Sequence, residues 1–278
     1  MAETKRINIL VTLDANYIFP LRVMLHSLLL ADEDVCYTVY VAHASLTQAD
    51  LAQIRSGVPE ARCTICPIEV SPQLLADAPV LRRLSTATYY RLLAPSFLPP
   101  EVDRILYLDP DITVLRSLWS LYSMDMQGMY LAAAAHLRGV MDWINRKRLR
   151  VRENAEYLNA GVLLMDVRKL RALDNTAQIF DFVRTHARLL FLGDQDVINV
   201  LYDGHVLFFD TRIYNLDERV FRGLRRRKGC DLQWVRDHTA ILHYNGRKKP
   251  WNLPYNGQLG EFFFACRADM EAGSGETL

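Results

Sequence analysis

The sequence predicts an α/β fold: a mixed, mostly parallel central sheet flanked by helices. Three observations carry this. Apolar, β-rich runs at 7–13, 37–42 and 63–68 alternate with helical patterns at 18–30 and 47–56, the repetition that right-handed crossovers between parallel strands produce. The run 105–108 is aliphatic and uncharged, as expected of a strand buried on both faces. It stops at Asp109-Pro110-Asp111, and the carboxyl ends of strands are where open α/β sheets bind ligands.

Composition narrows the classes. The 278 residues are 50% hydrophobic and 23% charged, ordinary values for a soluble enzyme with a sizeable core. A formal net charge of +1 argues against general nucleic-acid binding, although local basic clusters stay open. No apolar stretch reaches membrane-spanning length, and residues 1–6 lack a signal-peptide pattern, so a cytoplasmic protein is expected. The five cysteines are scattered, unlike a secreted disulfide framework. Cys63 and Cys66 form a CxxC inside a strand-like run with no second pair at zinc spacing, and they are read as small buried residues.

In chain order, the first strand ends in Thr12-Leu13-Asp14-Ala15-Asn16-Tyr17 before the helix at 18–30. Asp14 and Asn16 are suited to a base or ribose and Tyr17 to stacking; a helix cap is the competing reading of Asp14 or Asn16. Residues 71–79 form a polar connection, and 85–93 a helix that carries Arg91 just upstream of the carboxylate strand. A strand at 130–135 ends in His136, and 137–156, crowded with Arg146, Lys147, Arg148, Arg150 and Arg152, reads as an exposed helix or lid with a solvated basic face. The strand at 157–166 contains Asn159-Ala160-Gly161; a glycine inside a strand marks a bulge or a close ligand approach. Helices at 176–186 and from Asp194 follow, then strands at 206–209 and 239–243. The tail 271–278 is small and polar, and is expected to be disordered.

Asp109 and Asp111 repel each other unless a cation lies beside them, and hard oxygen ligands favour Mg²⁺ or Mn²⁺. Asp-Pro-Asp is also ordinary turn chemistry, so its company matters. The last strand leads into His243-Tyr244-Asn245-Gly246-Arg247-Lys248-Lys249, a metal ligand followed by phosphate-binding groups.

With these segments in view, the chain resembles the family 8 retaining glycosyltransferases. The likeness runs from about residue 7 to 251 through LVTLDANY, ATYYRLL, ILYLDPDITVL, YLNAGVLLMDV with LGDQDVIN, and HYNGRKKPW. It implies a GT-A fold: a single domain over 1–270, with a Rossmann-like nucleotide half to about 115 and a donor and acceptor half beyond it. It implies a hexose transferred from UDP-glucose or UDP-galactose to a glycan or lipopolysaccharide-type acceptor. Thr12, Asp14, Asn16 and Tyr17 would hold uridine, Asp109, Asp111 and His243 would ligate Mn²⁺ or Mg²⁺, and Gly246 and Lys249 would bind the diphosphate. Arg91, Asn159, Ala160, Asp194 and Gln195 would line the donor sugar, with Arg91, Asp194 and Gln195 as the catalytic set. The family's candidate nucleophile position holds the amide of Gln195, a poor nucleophile, so same-face attack is favoured over a covalent intermediate. His136 stands where the galactosyltransferase branch has an aspartate.

Two competing readings stay open at this point. Asp109-Pro110-Asp111-Ile112-Thr113 also matches the DxDxT of haloacid-dehalogenase-type phosphatases, although that family places it at the first strand. A nucleotide-sugar binder without activity is the other. The basic stretch 222–228 is read as a solvated loop, or else as a contact for an acidic acceptor or an anionic membrane surface.

Overall fold

A computed structural model describes residues 4–79, 86–135, 140–152, 156–252 and 254–274. A seven-stranded sheet has the order β3 (Cys63–Glu69), β2 (Val35–His43), β1 (Lys5–Thr12), β4 (Arg104–Leu108), β7 (Leu158–Asp166), β6 (Leu131–Ala135) and β8 (Val206–Phe209). β1 pairs parallel with β2 and β4, and β2 with β3. β7 runs antiparallel between β4 and β6, and β8 is parallel to β6. The sheet is therefore mostly parallel and mixed, as the sequence predicts.

Both faces of the sheet are covered, which accounts for its unbroken apolar runs. One core joins Ile7, Ile9, Val39 and Leu106 to the Ile18–Ala31 helix. The other joins Tyr107, Leu163 and Ala133 to the Thr86–Leu92 and Asp194–Leu201 helices through Tyr89, Tyr90 and Val197. The helix predicted at 47–56 is Gln48–Arg55, held by a capping box in which Thr47 and Asp50 bond reciprocally.

A second short strand follows the carboxylates. β4 ends at Leu108, and Ile112–Val114 forms β5, which pairs antiparallel with β9 (Ile241–His243) in a separate two-stranded sheet. The register sets Ile112 opposite His243, so the turn between β4 and β5 lies beside the end of β9. A third core beneath this sheet holds Leu216, Phe221, Leu242 and Phe263.

Three expectations are corrected. The basic stretch at 222–228 is no loop; it belongs to a helix, Glu218–Lys228, capped by Asp217 and ended by Gly229 at φ 64°. The tail begins later than expected, because the Gly260–Ser274 helix covers 271–274; 275–278 lie outside the described residues. In the basic segment, the Val140–Leu149 helix is anchored by Arg148, whose guanidinium is nearly buried against Asp196, so that arginine is no part of a solvated face. His136 and Ser85, the first residue of the helix expected at 85–93, lie outside the described residues.

Candidate active site

Asp109 and Asp111 sit in the turn from β4 to β5, at the carboxyl end of the sheet strand. Backbone bonds fix the turn: Asp109 N donates to Gly161 O at 2.9 Å, and Tyr244 N donates to Asp111 O at 2.9 Å. His243 Nε2 lies 3.3 Å from Asp111 Oδ1 and 3.5 Å from Asp109 Oδ2. One ligand atom from each of the three side chains falls within 4.8 Å of the others. Residues far apart in sequence thus converge because β5 and β9 pair.

The donor set suits a divalent cation. Burial lowers the His243 pKa, but the Asp111 and Asp109 carboxylates outweigh it and push the imidazole up to about 9. Burial raises both carboxyls, yet Arg91 holds Asp109, and His243 with Lys249 holds Asp111, below the usual carboxylate range. The cluster is built to keep positive charge between two carboxylates. Gly161 makes the room: a Cβ there would lie 2.1 Å from His243 Cε1 and 2.8 Å from Asp109 Oδ2. Only glycine lets β7 pass this close, and the β6–β7 register shifts at Ala133 and Ala134 beside it.

Arg91 ties the cluster to the next one. It donates to Asp109 Oδ1 and to Tyr107 Oη, each at 2.6 Å, and to Ala160 O at 2.9 Å. Its other face pairs with Asp194 Oδ2 at 3.0 Å. Burial works against the Arg91 charge, but the two carboxylates keep the guanidinium protonated. Burial raises the Asp194 pKa, and its Oδ2 is buried with no aligned donor despite the nearby Nη1. The Asp194 carboxylate lines the larger of the two cavities at the site. Gln195 Oε1 accepts from Ala160 N at 3.3 Å and from Asn159 Nδ2 at 3.5 Å.

Of the residues expected at the nucleotide end, Thr12, Asp14 and Tyr17 line a cavity of about 330 Å³ together with Asp111 and Lys249. Asp14 also caps the short turn that follows it, accepting from Asn16 N at 2.9 Å, which bears out the capping reading; Asn16 is not on that cavity wall. Lys249 Nζ sits on Asp111 Oδ2 and donates to Tyr244 O at 2.8 Å. Gly246 lines a larger cavity of about 1280 Å³ that also holds Arg91, Asn159, Asp194, Gln195 and His243. The two cavities share Arg91, Asp109, His243 and Asn245.

Sequence reading missed three residues. Tyr107 donates to Asp109 Oδ1 at 2.7 Å and lies 3.1 Å from Thr12 Oγ1; inside an apolar strand it reads as core. Asn215 lies 2.8 Å from His243 Nδ1, and no motif marks it. Asp196 is fully buried, held by Arg148 at 2.7 and 2.9 Å and by Tyr157 Oη. Its place one turn into a charged helix start was the available signal.

The profile of glycosyl transferase family 8 matches residues 8–253. The chain belongs to this family. Among curated relatives, it is 24% identical over 263 residues to the glycosyltransferase GlyF of Streptococcus pneumoniae, covering 94% of this chain and 61% of that one. It is 25% identical over 250 residues to the lipopolysaccharide 1,2-glucosyltransferase of Escherichia coli, covering 88% and 73%. The fold matches a crystal structure of the galactosyltransferase LgtC with a TM-score of 0.80, 26% identity and coverage of 95% and 96%. The GT-A fold expected from the motifs is thereby shared with a family 8 enzyme. Against the phosphatase reading, Asp109 follows the fourth strand of the chain and its oxygens are held by Arg91, Tyr107 and His243. No helix among the described residues is long and apolar enough to cross a membrane.

Proposed function

We propose that this family 8 chain is a retaining transferase that moves glucose or galactose from a UDP-sugar to a glycan or lipopolysaccharide-type acceptor, with Mn²⁺. The observation that carries the reading is the convergence of Asp109, Asp111 and His243 within 4.8 Å at the junction of the two cavities. Two carboxylates and one imidazole suit Mn²⁺ better than all-oxygen Mg²⁺ sites. The glucosyl- and galactosyltransferase names of its relatives support a hexose donor.

In this reading uridine lies in the smaller cavity against Tyr17, with Thr12 and Asp14 at its polar edge, and the diphosphate passes Gly246 and Lys249. A cation held by Asp109, Asp111 and His243 would supply Lewis-acid stabilisation of the leaving diphosphate, worth several kcal/mol. Lys249, now on Asp111, is placed to follow the developing phosphate charge. Arg91 orients Asp194 through their ion pair, and the Asp194 carboxylate, on the wall of the larger cavity, accepts from a sugar hydroxyl. Asn159, Ala160 and Gln195 form the sugar's other wall. The bond from the anomeric carbon to the phosphate oxygen breaks with its electron pair leaving on UDP. The acceptor hydroxyl then attacks from the same face and its proton passes to the departing phosphate. The nucleotide half and the acceptor half of one domain meet along this line.

Hydrolysis of UDP-glucose and UDP-galactose to UDP tests it. Turnover with Mn²⁺ that stops in EDTA and in Asp109→Asn supports the reading. UDP-sugar turnover unaffected by either, or release of phosphate from an aryl phosphate, refutes it. A sugar trapped covalently on Asp194 or Gln195 would replace same-face attack.

A further inference from the structure

One wall of the larger cavity, which also holds Asp194 and Gln195, is basic, and its direction is fixed by packing. On the Glu218–Lys228 helix the residues that line the cavity are Glu218, Arg219, Arg222, Arg225 and Arg226. At 3.6 residues per turn these fall in one stripe about 120° wide. The opposite stripe holds Val220, Phe221 and Leu224, which pack in the third core, with Phe221 fully buried. Burying Phe221 therefore turns the arginines toward the site. Arg247 and Lys248 enter the same cavity from the loop after β9.

The acids on this wall do not neutralise it. Asp217 is taken as the helix cap, accepting from Arg219 N, Val220 N and Asn245 Nδ2. Glu218 accepts from Leu259 N and is offset by the nearby Arg222, whose charge opposes the burial that raises the Glu218 pKa, so one acid stands against six cations on this wall. Arg222 donates to Glu218 O and Arg225 to Gln258 Oε1. Among the described residues none of the six cations makes an ion pair. A chain of net charge +1 has gathered six cations along one cavity wall with Glu218 as the acid facing them, and their fields add there.

We propose that this wall is an acceptor subsite for anionic glycans, in which the Arg222 and Arg226 guanidinium groups engage a phosphate or carboxylate on the sugar chain that receives the hexose. The inference rests on the glycosyltransferase reading. Guanidinium forks match both anions bidentately. The concavity, continuous with the sugar-binding wall, favours an extended glycan over a flat bilayer surface.

Binding of glucose 6-phosphate, glucuronate and glucose is compared by calorimetry on the full chain with Mn²⁺ and saturating UDP, so that the donor site is filled. The expected result is at least tenfold tighter binding of both anionic sugars than of glucose. The preference should disappear in the Arg222→Ala/Arg226→Ala variant and persist in part in Arg222→Lys/Arg226→Lys, with UDP affinity unchanged within twofold. Preference for glucose 6-phosphate alone identifies phosphate, and for both sugars a general anion site. Equal binding of the three sugars overturns the proposal, as does a parallel loss of UDP affinity in the alanine variant. Arginine-dependent binding to vesicles of phosphatidylcholine and phosphatidylglycerol without any sugar preference also overturns it. Failure of the wild type to bind UDP would strike the glycosyltransferase reading instead.

Discussion

Asn215 Oδ1 lies 2.8 Å from His243 Nδ1, and the same amide donates through Nδ2 to Asn159 Oδ1 at 2.9 Å. Asn159 Oδ1 also accepts from Gly161 N at 3.0 Å. This chain sets the amide orientation, keeps the proton on His243 Nδ1, and leaves Nε2 facing Asp109 and Asp111.

Removing that support should weaken the metal site without removing a ligand. Asn215→Ala is expected to lower Mn²⁺ affinity by about 10- to 100-fold while UDP-sugar turnover recovers at high Mn²⁺. Mn²⁺ titration by electron paramagnetic resonance measures this. Unchanged affinity would show that Asn215 only fills space.

Gly161 is the steric test of the same cluster. A methyl group 2.1 Å from His243 Cε1 must displace either the imidazole or β7, so Gly161→Ala should lose Mn²⁺ binding and about 1–3 kcal/mol of stability. Urea denaturation and Mn²⁺ titration report the two effects. Wild-type values for both would mean that β7 passes the imidazole at a greater distance.

Arg148 and Asp196 form a buried pair that joins the Val140–Leu149 helix to the start of the Asp194–Leu201 helix. Arg148 also donates to Asn145 Oδ1 at 3.0 Å and stacks 4.7 Å from the Phe191 ring. Arg148→Ala leaves the Asp196 charge without its main partner, and is expected to cost about 3–5 kcal/mol. A loss below about 1 kcal/mol in urea would place this pair among weak surface bridges.

His43, at the end of β2, gives the pH prediction. Burial lowers its pKa, with Glu69 opposing, and its Nδ1 accepts from Leu46 N at 3.2 Å. The folded chain therefore resists protonation that the unfolded chain accepts near pH 6.5. Its contribution is present above that value and is lost as the pH falls toward the depressed folded pKa. Between pH 7.5 and 5 the wild type should lose more stability than His43→Gln. Parallel curves would contradict the assignment.

The strands flanking the site were legible because each is an apolar run that stops abruptly, as at Leu108 and Asp109 or His243 and Tyr244. Their directions were not, since alternation and apolarity are the same read either way; nothing in 158–166 signals that β7 runs against its neighbours. β5 was not predicted as a strand because three residues are too short for a period. The Glu218–Lys228 helix had its signals in Asp217, the 220, 221 and 224 apolar positions and Gly229, but arginine density masked them. Side chains such as Asn215 and Tyr107 act through neighbours distant in sequence, and only the fold identifies them.

The account stands most directly on calorimetric titration of Mn²⁺ into the UDP-saturated chain, with Asp111→Asn and His243→Ala alongside. It predicts one Mn²⁺ per wild-type chain, with affinity reduced on the order of 100-fold or more in each variant. Equal Mn²⁺ binding in all three proteins, or none in the wild type, would contradict it.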